Sequence, residues 1–158
     1  MSLLVSIANQ QLIFVTPDCL PVVYSVSTAA AGAGQQKNSA KTPLGKHYIR
    51  AKIGGDQSAN TVFQGRRPTG ELYSESLARR YPQRDWILSR ILWLCGCETN
   101  VNRLGNVDSM QRYIYIHGMP DSQPVGVAKS HGCIRMRNND IIELFTKVSV
   151  GTQVLISL

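Results

Sequence analysis

The chain lacks any apolar run of about 18 residues, the length that a membrane-spanning helix needs, and we therefore expect no membrane partner. It also lacks internal repeats and a C-x-x-C pair, and no βαβ pattern surrounds its four cysteines, which excludes a thioredoxin-like redox motif. A length of 158 residues with 43% hydrophobic residues suits one domain with one core. We take residues 1–158 as that domain and assume a monomer.

The amino terminus lacks positive charge. The first basic residue is Lys37, and a polar break at residues 9–11 interrupts the apolar opening segment. A secretory signal combines a basic region with an unbroken apolar stretch. We therefore expect a cytoplasmic chain with reduced thiols; a periplasmic location is the alternative if a leader has been removed from the sequence.

Acidic residues are few. The 17 Lys and Arg residues outnumber the 10 Asp and Glu residues, which gives a net charge of +7, and eleven of the 17 are arginines. An anionic substrate explains such a surplus because the guanidinium fork matches carboxylates. The sequence shows no interleaving of aromatic and basic residues that would suggest stacked bases, so we expect no nucleic-acid partner. A basic wall- or nucleic-acid-binding module is the non-enzyme alternative.

Most of the regular patterns in the sequence are typical of strands. Strand-like segments cover residues 3–8, 11–16, 21–27, 42–50, 87–94, 112–118 and 153–157. A helix is expected over 138–148, with Asn138 or Asn139 as its cap and Gly151 past its end. We predict a β-rich domain with one or two short helices, in which a helix packs on a mixed sheet or sandwich.

Residues 53–85 show little periodicity and are rich in Gly, Pro, Ser and Arg. Loops longer than about 15 residues in compact domains usually act as lids or carry structure of their own. We therefore expect a lid or insertion beside the functional site, with a peripheral solvated insertion as the alternative. Its arginines are Arg66, Arg67, Arg79, Arg80 and Arg84.

The stretch KSHGCIRM, residues 129–136, places a cysteine beside a histidine and an arginine. Cys133 could be an inert thiol, a metal ligand or a nucleophile. Its loop precedes the expected helix cap, and His131 and Arg135 flank it, all of which favour the thiolate. An inert thiol needs none of these groups. Cys19, between two strands, is expected to be inert and to pack as a small buried hydrophobe.

A metal site could draw its ligands from five residues, namely His117, His131 and Cys133 together with Cys95 and Cys97. Structural zinc usually takes C-x₂₋₄-C pairs, whereas Cys95 and Cys97 form a C-x-C pair whose side chains would lie about 7 Å apart along a strand. We expect neither a metal nor an organic cofactor.

A nucleophilic cysteine needs a base and a group that orients that base. The segment RYIYIHG alternates so that Tyr113, Tyr115 and His117 share one face of a strand. The Gly- and Pro-containing loop that follows can fold back, and we therefore expect His117 to pair with Cys133.

With this pairing, residues 116–156 resemble the catalytic signature of the L,D-transpeptidase family, the YkuD-type domain. That signature is His-Gly, a spacer of about fifteen residues, Ser/Thr-His-Gly-Cys, an apolar residue and Arg or Asn. The matching positions are His117, Gly118, Ser130, His131, Gly132, Cys133, Ile134 and Arg135. Further similarity at VYSVST, TPLGKHYI and GTQVLI covers most of the chain, but the C-x-C pair and residues 53–85 match nothing in the family pattern.

The resemblance implies a role for each matched residue. Cys133 would be the nucleophile, His117 the base, and the Gly118 carbonyl the group that orients the imidazole. Backbone N–H groups of Gly132 and Cys133 would hold the oxyanion. The implied oxyanion- and substrate-binding residues together are Gly132, His131, Ser130, Arg135 and Tyr115.

The resemblance also implies the substrate, namely peptidoglycan stem peptides or muropeptides cleaved between meso-diaminopimelate and D-Ala, and sensitivity to carbapenems. Water as acceptor gives a carboxypeptidase, whereas an amine gives a 3-3 cross-link or exchange of the terminal D-amino acid. A cytoplasmic chain would meet soluble muropeptides. We therefore expect an L,D-carboxypeptidase that trims tetrapeptide to tripeptide in peptidoglycan recycling, with a periplasmic transpeptidase as the alternative.

Overall fold

Ten strands and two short helices make up the fold in a computed structural model that describes residues 1–158. The strands are β1 (Ser2–Ser6), β2 (Gln11–Thr16), β3 (Cys19–Ser27), β4 (Gly45–Ile53), β5 (Thr61–Gln64), β6 (Arg67–Leu72), β7 (Ile87–Gly96), β8 (Tyr115–Gly118), β9 (Ile134–Met136) and β10 (Gln153–Ser157). The helices are α1 (Glu75–Arg80) and α2 (Asn138–Lys147), with a 3₁₀ turn at Gly105–Val107. Neither α-helix has the length and apolar character needed to cross a bilayer.

The strands form a mixed sheet in the order β4-β10-β1-β2-β3-β9-β8-β7-β5-β6, and β4 also pairs with β7. Because β4 has a partner on each side, the sheet closes on itself and the β5–β6 hairpin extends from β7. The pairs β1–β10 and β8–β9 are parallel, and the others are antiparallel. The predicted β-rich class with short helices is confirmed.

The main core contains 18 buried apolar residues. Alternate residues of the strands enter it, such as Ile116 of β8 and Ile134 of β9, because successive side chains of a strand point to opposite faces. Helix α2 contributes Ile141 and Leu144 and packs against β7 and β8. This burial, the main source of stability in such domains, fixes β8 and β9 in the middle of the sheet.

Helix α2 begins differently from the prediction. Arg137 is its N-cap and makes no side-chain capping bond. The Asn138 side chain is buried instead: its Oδ1 accepts from Ser89 Oγ at 2.5 Å, and its Nδ2 donates to Asn60 Oδ1 and the Met119 carbonyl. The predicted asparagine cap is wrong because this amide serves tertiary partners rather than the helix end.

Residues 53–85 are structured rather than a plain loop. They contain the β5–β6 hairpin and α1, whose partly buried Leu77 packs against a small cluster around Trp86. The Tyr73 and Trp86 rings meet edge to face at 5.1 Å. The segment therefore packs on a small apolar cluster that it shares with Trp86 and with Leu88 of β7.

Candidate active site

The site lies where β8 and β9 run parallel. His117 is in register with Arg135, and Cys133 directly precedes β9. The backbone N–H of Tyr115 donates to Cys133 Sγ at 3.3 Å. Strand alternation therefore places the histidine, the cysteine and the arginine on one face, while their sequence neighbours enter the core. Of the two residues predicted to pair, His117 lies on β8, and Cys133 immediately precedes the adjacent strand β9.

His117 is buried and has one defined partner. Its Nδ1 lies 2.8 Å from the Gly118 carbonyl oxygen, which only accepts hydrogen bonds, so Nδ1 carries the proton and Nε2 keeps its lone pair. Nε2 is buried without a hydrogen-bond partner. Burial lowers the pKa of His117, so the imidazole is neutral at neutral pH.

Gly118 is held in a tight setting. A Cβ at this position would lie 2.5 Å from the Leu88 carbonyl oxygen and 2.6 Å from Asn138 Oδ1. Asn138 is itself fixed by Ser89 and by the carbonyl of Met119. A side chain at 118 would therefore displace the carbonyl that orients His117.

The resting state of Cys133 differs from the predicted thiolate. Its thiol donates to the Tyr113 carbonyl at 3.4 Å and makes no hydrogen bond to His117 Nε2. Burial raises the pKa of Cys133 to about 12, which outweighs the opposing effects of the Tyr115 N–H and of Arg112. Flanking positive groups favour the thiolate, but burial has the larger effect on the pKa of Cys133, so the expectation of a resting thiolate is wrong.

The backbone around the cysteine also departs from two expectations. Strand β9 separates Cys133 from α2, so the sulfur does not lie at the start of that helix. The predicted strand 112–118 begins only at Tyr115, because Tyr113 has a positive φ of 55° and its side chain is exposed.

The loop before Cys133 is fixed by its own hydrogen bonds. The buried Ser130 hydroxyl donates to the Cys133 carbonyl at 2.5 Å and accepts from Gly132 N at 3.2 Å. The Gly132 N–H, predicted as an oxyanion donor, is thus engaged within the loop, while the Cys133 N–H has no intramolecular partner. Ser130 positions the loop instead of facing the cleft.

Residues 53–85 contribute to the cleft beside the sulfur, a cavity of about 480 Å³. Arg66, at the β5–β6 turn, donates from Nη1 to Tyr115 Oη at 3.0 Å, and its guanidinium lies 4.7 Å from the ring centroids of Trp93 and Tyr113. The segment also supplies Asp85 to this cavity.

His131 and Asp85 face each other across the mouth of the site. His131 is exposed, and its Nδ1 lies 3.6 Å from Asp85 Oδ2. Sequence reasoning did not single out Asp85, although the arginine-rich composition of its segment pointed to the region.

Arg112 is a second site residue that sequence reasoning missed. It is half-buried, and it donates to the carbonyls of Gln35 at 2.9 Å and Lys41 at 2.6 Å. Its charge acts to lower the pKa of Cys133. The sequence signal that could have identified Arg112 is its position at the start of RYIYIHG, the segment that contains His117.

The other cysteines lie away from this site. All four are free thiols; Cys95 is buried in β7, and Cys97 follows that strand. Cys19 is exposed, so the interpretation of this thiol as a buried hydrophobe is wrong. No group of three or more His, Cys, Asp or Glu side chains is arranged to hold a metal ion.

The family of the chain follows from a comparison with protein-family models. The model of the L,D-transpeptidase catalytic domain, YkuD, matches residues 1–156. The chain belongs to this family. Its L,D-transpeptidase signature residues are therefore the ones that β8, β9 and the preceding loop bring together.

Curated relatives match over a shorter segment. The probable L,D-transpeptidase YbiS of Escherichia coli (strain K12) is 51% identical over 43 residues, which are 27% of this chain and 14% of that protein. The putative L,D-transpeptidase YqjB of Bacillus subtilis (strain 168) is 48% identical over 42 residues, 27% of this chain and 24% of that protein. The matched segment thus spans less than a quarter of either relative.

Solved structures share the L,D-transpeptidase fold. An L,D-transpeptidase from Mycobacterium smegmatis aligns with a TM-score of 0.57 at 15% identity, over 99% of this chain and 58% of that chain. An L,D-transpeptidase from Xylanimonas cellulosilytica DSM 15894 aligns with a TM-score of 0.56 at 16% identity, over 99% and 59%.

Proposed function

We propose that this domain is a cysteine acyl-transfer enzyme that cleaves peptidoglycan stem peptides at the L,D bond between meso-diaminopimelate and D-Ala. The observation that supports this best is the free lone pair of His117 Nε2 on the strand beside Cys133, with the Gly118 carbonyl fixing the ring. A nucleophile, a base and an orienting group are the parts that acyl transfer requires. Family membership supports the same substrate class.

The proposed first step starts from a neutral thiol and a neutral imidazole. Cys133 Sγ turns from the Tyr113 carbonyl toward His117 Nε2, gives up its proton there and attacks the carbonyl carbon of the donor residue. The free Cys133 N–H donates to the oxyanion. The C–N bond then breaks, the proton passes from His117 to the amine of D-Ala, and a thioester to Cys133 remains.

For the second step we propose water as the acceptor, which makes the enzyme an L,D-carboxypeptidase. His117 takes a proton from water, the hydroxide attacks the thioester carbonyl, and the C–S bond breaks to release the tripeptide and regenerate the thiol. Water needs no recognition surface, so hydrolysis requires nothing beyond the groups described. A role in peptidoglycan recycling, with a cytoplasmic location, is part of this proposal, and cell fractionation checks the location.

Transfer to an amine is the second candidate. The cavity at Cys133 adjoins two others, of about 430 Å³ beside Lys37 and about 330 Å³ beside Lys129, and His131 borders all three. That space favours a second peptide as acceptor, which would give 3-3 cross-links or exchange of the terminal D-amino acid.

Product masses separate the two reactions. The purified protein is incubated with monomeric disaccharide-tetrapeptide: tripeptide as the sole product supports hydrolysis, and a dimer as the main product supports transfer. A carbapenem should leave an adduct on Cys133 in the native protein and none in Cys133→Ala. No turnover together with no adduct on Cys133 contradicts the acyl-enzyme proposal.

A further inference from the structure

Three hydrogen bonds fix the backbone of the loop that carries Cys133. The Ser130 hydroxyl donates to the Cys133 carbonyl and accepts from the Gly132 N–H. The Gly132 carbonyl accepts the third bond, at 3.0 Å, from the hydroxyl of Thr42, which lies 90 positions earlier in the chain. Among the backbone groups of Gly132 and Cys133, the Cys133 N–H is the one that keeps no intramolecular partner.

The Thr42 hydroxyl has one possible hydrogen-bonding arrangement. Thr42 is fully buried, and its hydroxyl oxygen accepts from the Ala29 N–H at 3.0 Å. A carbonyl oxygen only accepts, so the hydroxyl proton is donated to Gly132. Ala29 also pairs with Ser130 in a parallel bridge. The Thr42 hydroxyl therefore joins the segment after β3 to the loop of the nucleophile.

The position of Thr42 is itself fixed. Its N–H donates to the Gly32 carbonyl at 3.0 Å, and its carbonyl accepts from the Gly34 N–H at 2.9 Å. Arg112 donates to the carbonyl of the preceding residue, Lys41, at 2.6 Å. These bonds keep the Thr42 hydroxyl in one place, so that it can direct the peptide group that it contacts.

The bond to the Gly132 carbonyl sets the direction of the free N–H. The Gly132 oxygen and the Cys133 N–H belong to one planar trans peptide unit, in which the two groups point in opposite directions. Gly132 has a φ of 130°, and as a glycine it has access to many other backbone conformations. Without the Thr42 bond, this peptide unit would be free to rotate. An oxyanion donor acts best when its N–H is aimed in advance at the position where the negative charge develops.

We propose that Thr42 is a positioning residue of the active site, whose hydroxyl holds the Gly132 peptide unit so that the Cys133 N–H faces the oxyanion of the acylation step. This inference rests on the proposed acyl transfer at Cys133 and is independent of the peptide substrate and of the acceptor. In this role Thr42 acts through the peptide unit rather than on the substrate. It should therefore affect reactions that form an oxyanion and spare reactions that use the sulfur alone.

Two reagents separate these reactions at Cys133. With p-nitrophenyl acetate, the sulfur attacks the carbonyl carbon through an oxyanion, the bond to p-nitrophenolate breaks, the thiol proton passes to His117, and a thioester remains. With iodoacetamide, the sulfur attacks the methylene carbon, the C–I bond breaks, iodide leaves, and the proton again passes to His117. No oxyanion forms in this second reaction. The ratio of acylation rate to alkylation rate therefore reports the oxyanion donor, whereas a general disturbance of Cys133 or His117 changes both rates.

Thr42→Val removes the hydroxyl and keeps the shape of the side chain. Acylation should slow by about 10- to 100-fold, a smaller loss than the roughly 10²- to 10³-fold effect of removing an oxyanion donor, while alkylation keeps its native rate. Thr42→Ser, which retains the hydroxyl, should restore acylation. The matched control is Thr152→Val, because Thr152 is a buried threonine that accepts from the Ser149 N–H at 3.1 Å and lines no cavity. Both rates are read from the mass of the peptide that contains Cys133.

Equal slowing of both reactions in Thr42→Val would mean a structural role and would overturn the proposal, as would an unchanged ratio of the two rates. If thermal melting shows that this variant does not fold, Arg112→Lys takes its place. That change keeps the positive charge but weakens the hold on the Lys41 carbonyl, and the ratio should fall by a smaller factor. An unchanged ratio in Arg112→Lys would then contradict the proposal.

Infrared spectroscopy of the acetyl-enzyme gives a second readout. With an isotope-labelled acetyl group, the thioester carbonyl should absorb at a lower frequency in the native protein than in Thr42→Val, because a bond from the Cys133 N–H weakens the C=O bond. Equal frequencies would count against the proposal.

The same measurements separate this inference from the proposed function. Acylation by the ester that depends on Thr42, with no turnover of stem peptides, would support the positioning role and contradict the proposed substrate. Turnover of stem peptides with an unchanged rate ratio in Thr42→Val would contradict the positioning role alone. Alkylation of Cys133 in the native protein without any acylation by the ester would overturn both.

Discussion

The regions around His47 and His117 contain similar histidines in different settings. Each ring is buried, and each Nδ1 faces a backbone carbonyl, that of Gly45 at 3.0 Å and that of Gly118 at 2.8 Å. Burial lowers the pKa of both. The difference is at the second nitrogen: Nε2 of His47 lies 2.8 Å from Ser109 Oγ, whereas Nε2 of His117 has no partner.

This difference separates a histidine that serves stability from one that is available for chemistry. A buried polar atom without a hydrogen-bond partner reduces the free energy of unfolding by about 1–3 kcal/mol. A fold therefore keeps such an atom mainly where its unused hydrogen-bonding capacity serves a function. Both ring nitrogens of His47 have partners, and His47 lines none of the cavities of the protein. The His117 region leaves one lone pair free next to a thiol.

Removal of the reacting groups should have the largest effect. His117→Ala should lower turnover by about 10²- to 10⁴-fold, the usual contribution of a general base, and Cys133→Ala should abolish acylation, both without loss of fold. The measurement is muropeptide turnover with thermal melting as the check on folding. Cys19→Ala, at an exposed thiol, serves as the neutral control. A carbapenem adduct on Cys95 or Cys97 would contradict the assignment.

His47→Ala should show the opposite pattern. Loss of a buried ring and of its bond to Ser109 should reduce the free energy of unfolding by about 2–4 kcal/mol, while the activity per folded molecule stays near that of the native protein. Urea denaturation gives the first quantity, and turnover corrected for the folded fraction gives the second. A loss of activity with unchanged stability would remove the distinction between the two histidines.

A fall in pH should reduce the stability of the protein through the His47 region. Burial lowers the pKa of His47 from 6.5 to about 4, so the unfolded chain binds the proton first as the pH falls. The free energy of unfolding should therefore decline between pH 6.5 and 4, by up to about 3 kcal/mol from this residue. Urea titrations should give a flatter profile for His47→Gln. His117, whose pKa is also lowered, contributes in the same direction, and His117→Gln measures that part separately.

The site residues that the sequence did reveal are local in the chain. His117, Gly118 and Cys133 fall within one short segment whose strand alternation and family resemblance were readable, and β2 has its predicted bounds of 11–16. Alternation predicts faces of strands because it requires no knowledge of distant neighbours. The residues immediately around His47 and His117 do not show which of the two is catalytic. The sequence signal that separated them was the cysteine downstream of His117.

The features that escaped prediction depend on distant contacts. Arg66 was among the arginines of the expected lid, but the β5–β6 hairpin that brings it to Tyr115 was not predicted. Strand β6 is almost wholly exposed and therefore lacks the burial pattern that alternation detects. The protonation of Cys133 is set by burial, which flanking residues do not encode. Asn138 has the local chemistry of a cap, but its tertiary hydrogen bonds override that preference.

Ser109→Ala would give His47 the unpaired nitrogen that His117 has. The expected loss of stability is about 1–2 kcal/mol, since one buried ring nitrogen loses its partner. Activity should not change, because no nucleophile adjoins His47. Denaturant melts and turnover of the same preparation measure both effects, and Ser109→Thr, which keeps the hydroxyl, is the control. Unaltered stability would show that a ring nitrogen without a partner has little effect on the free energy of unfolding in this fold. That result would weaken the inference drawn from His117.

The smallest expected effect concerns the dependence of the His117 region on residues 53–85. Arg66→Ala removes a hydrogen bond to Tyr115 and a cation that covers Trp93 and Tyr113 beside the sulfur. Loss of a net 0.5–1.5 kcal/mol should raise KM for an acidic stem peptide by about 3- to 10-fold, with little change in kcat. Arg67→Ala is the matched control, because Arg67 is exposed and lines no cavity. An unaltered KM in Arg66→Ala would mean that the segment packs beside the cleft without acting as a lid.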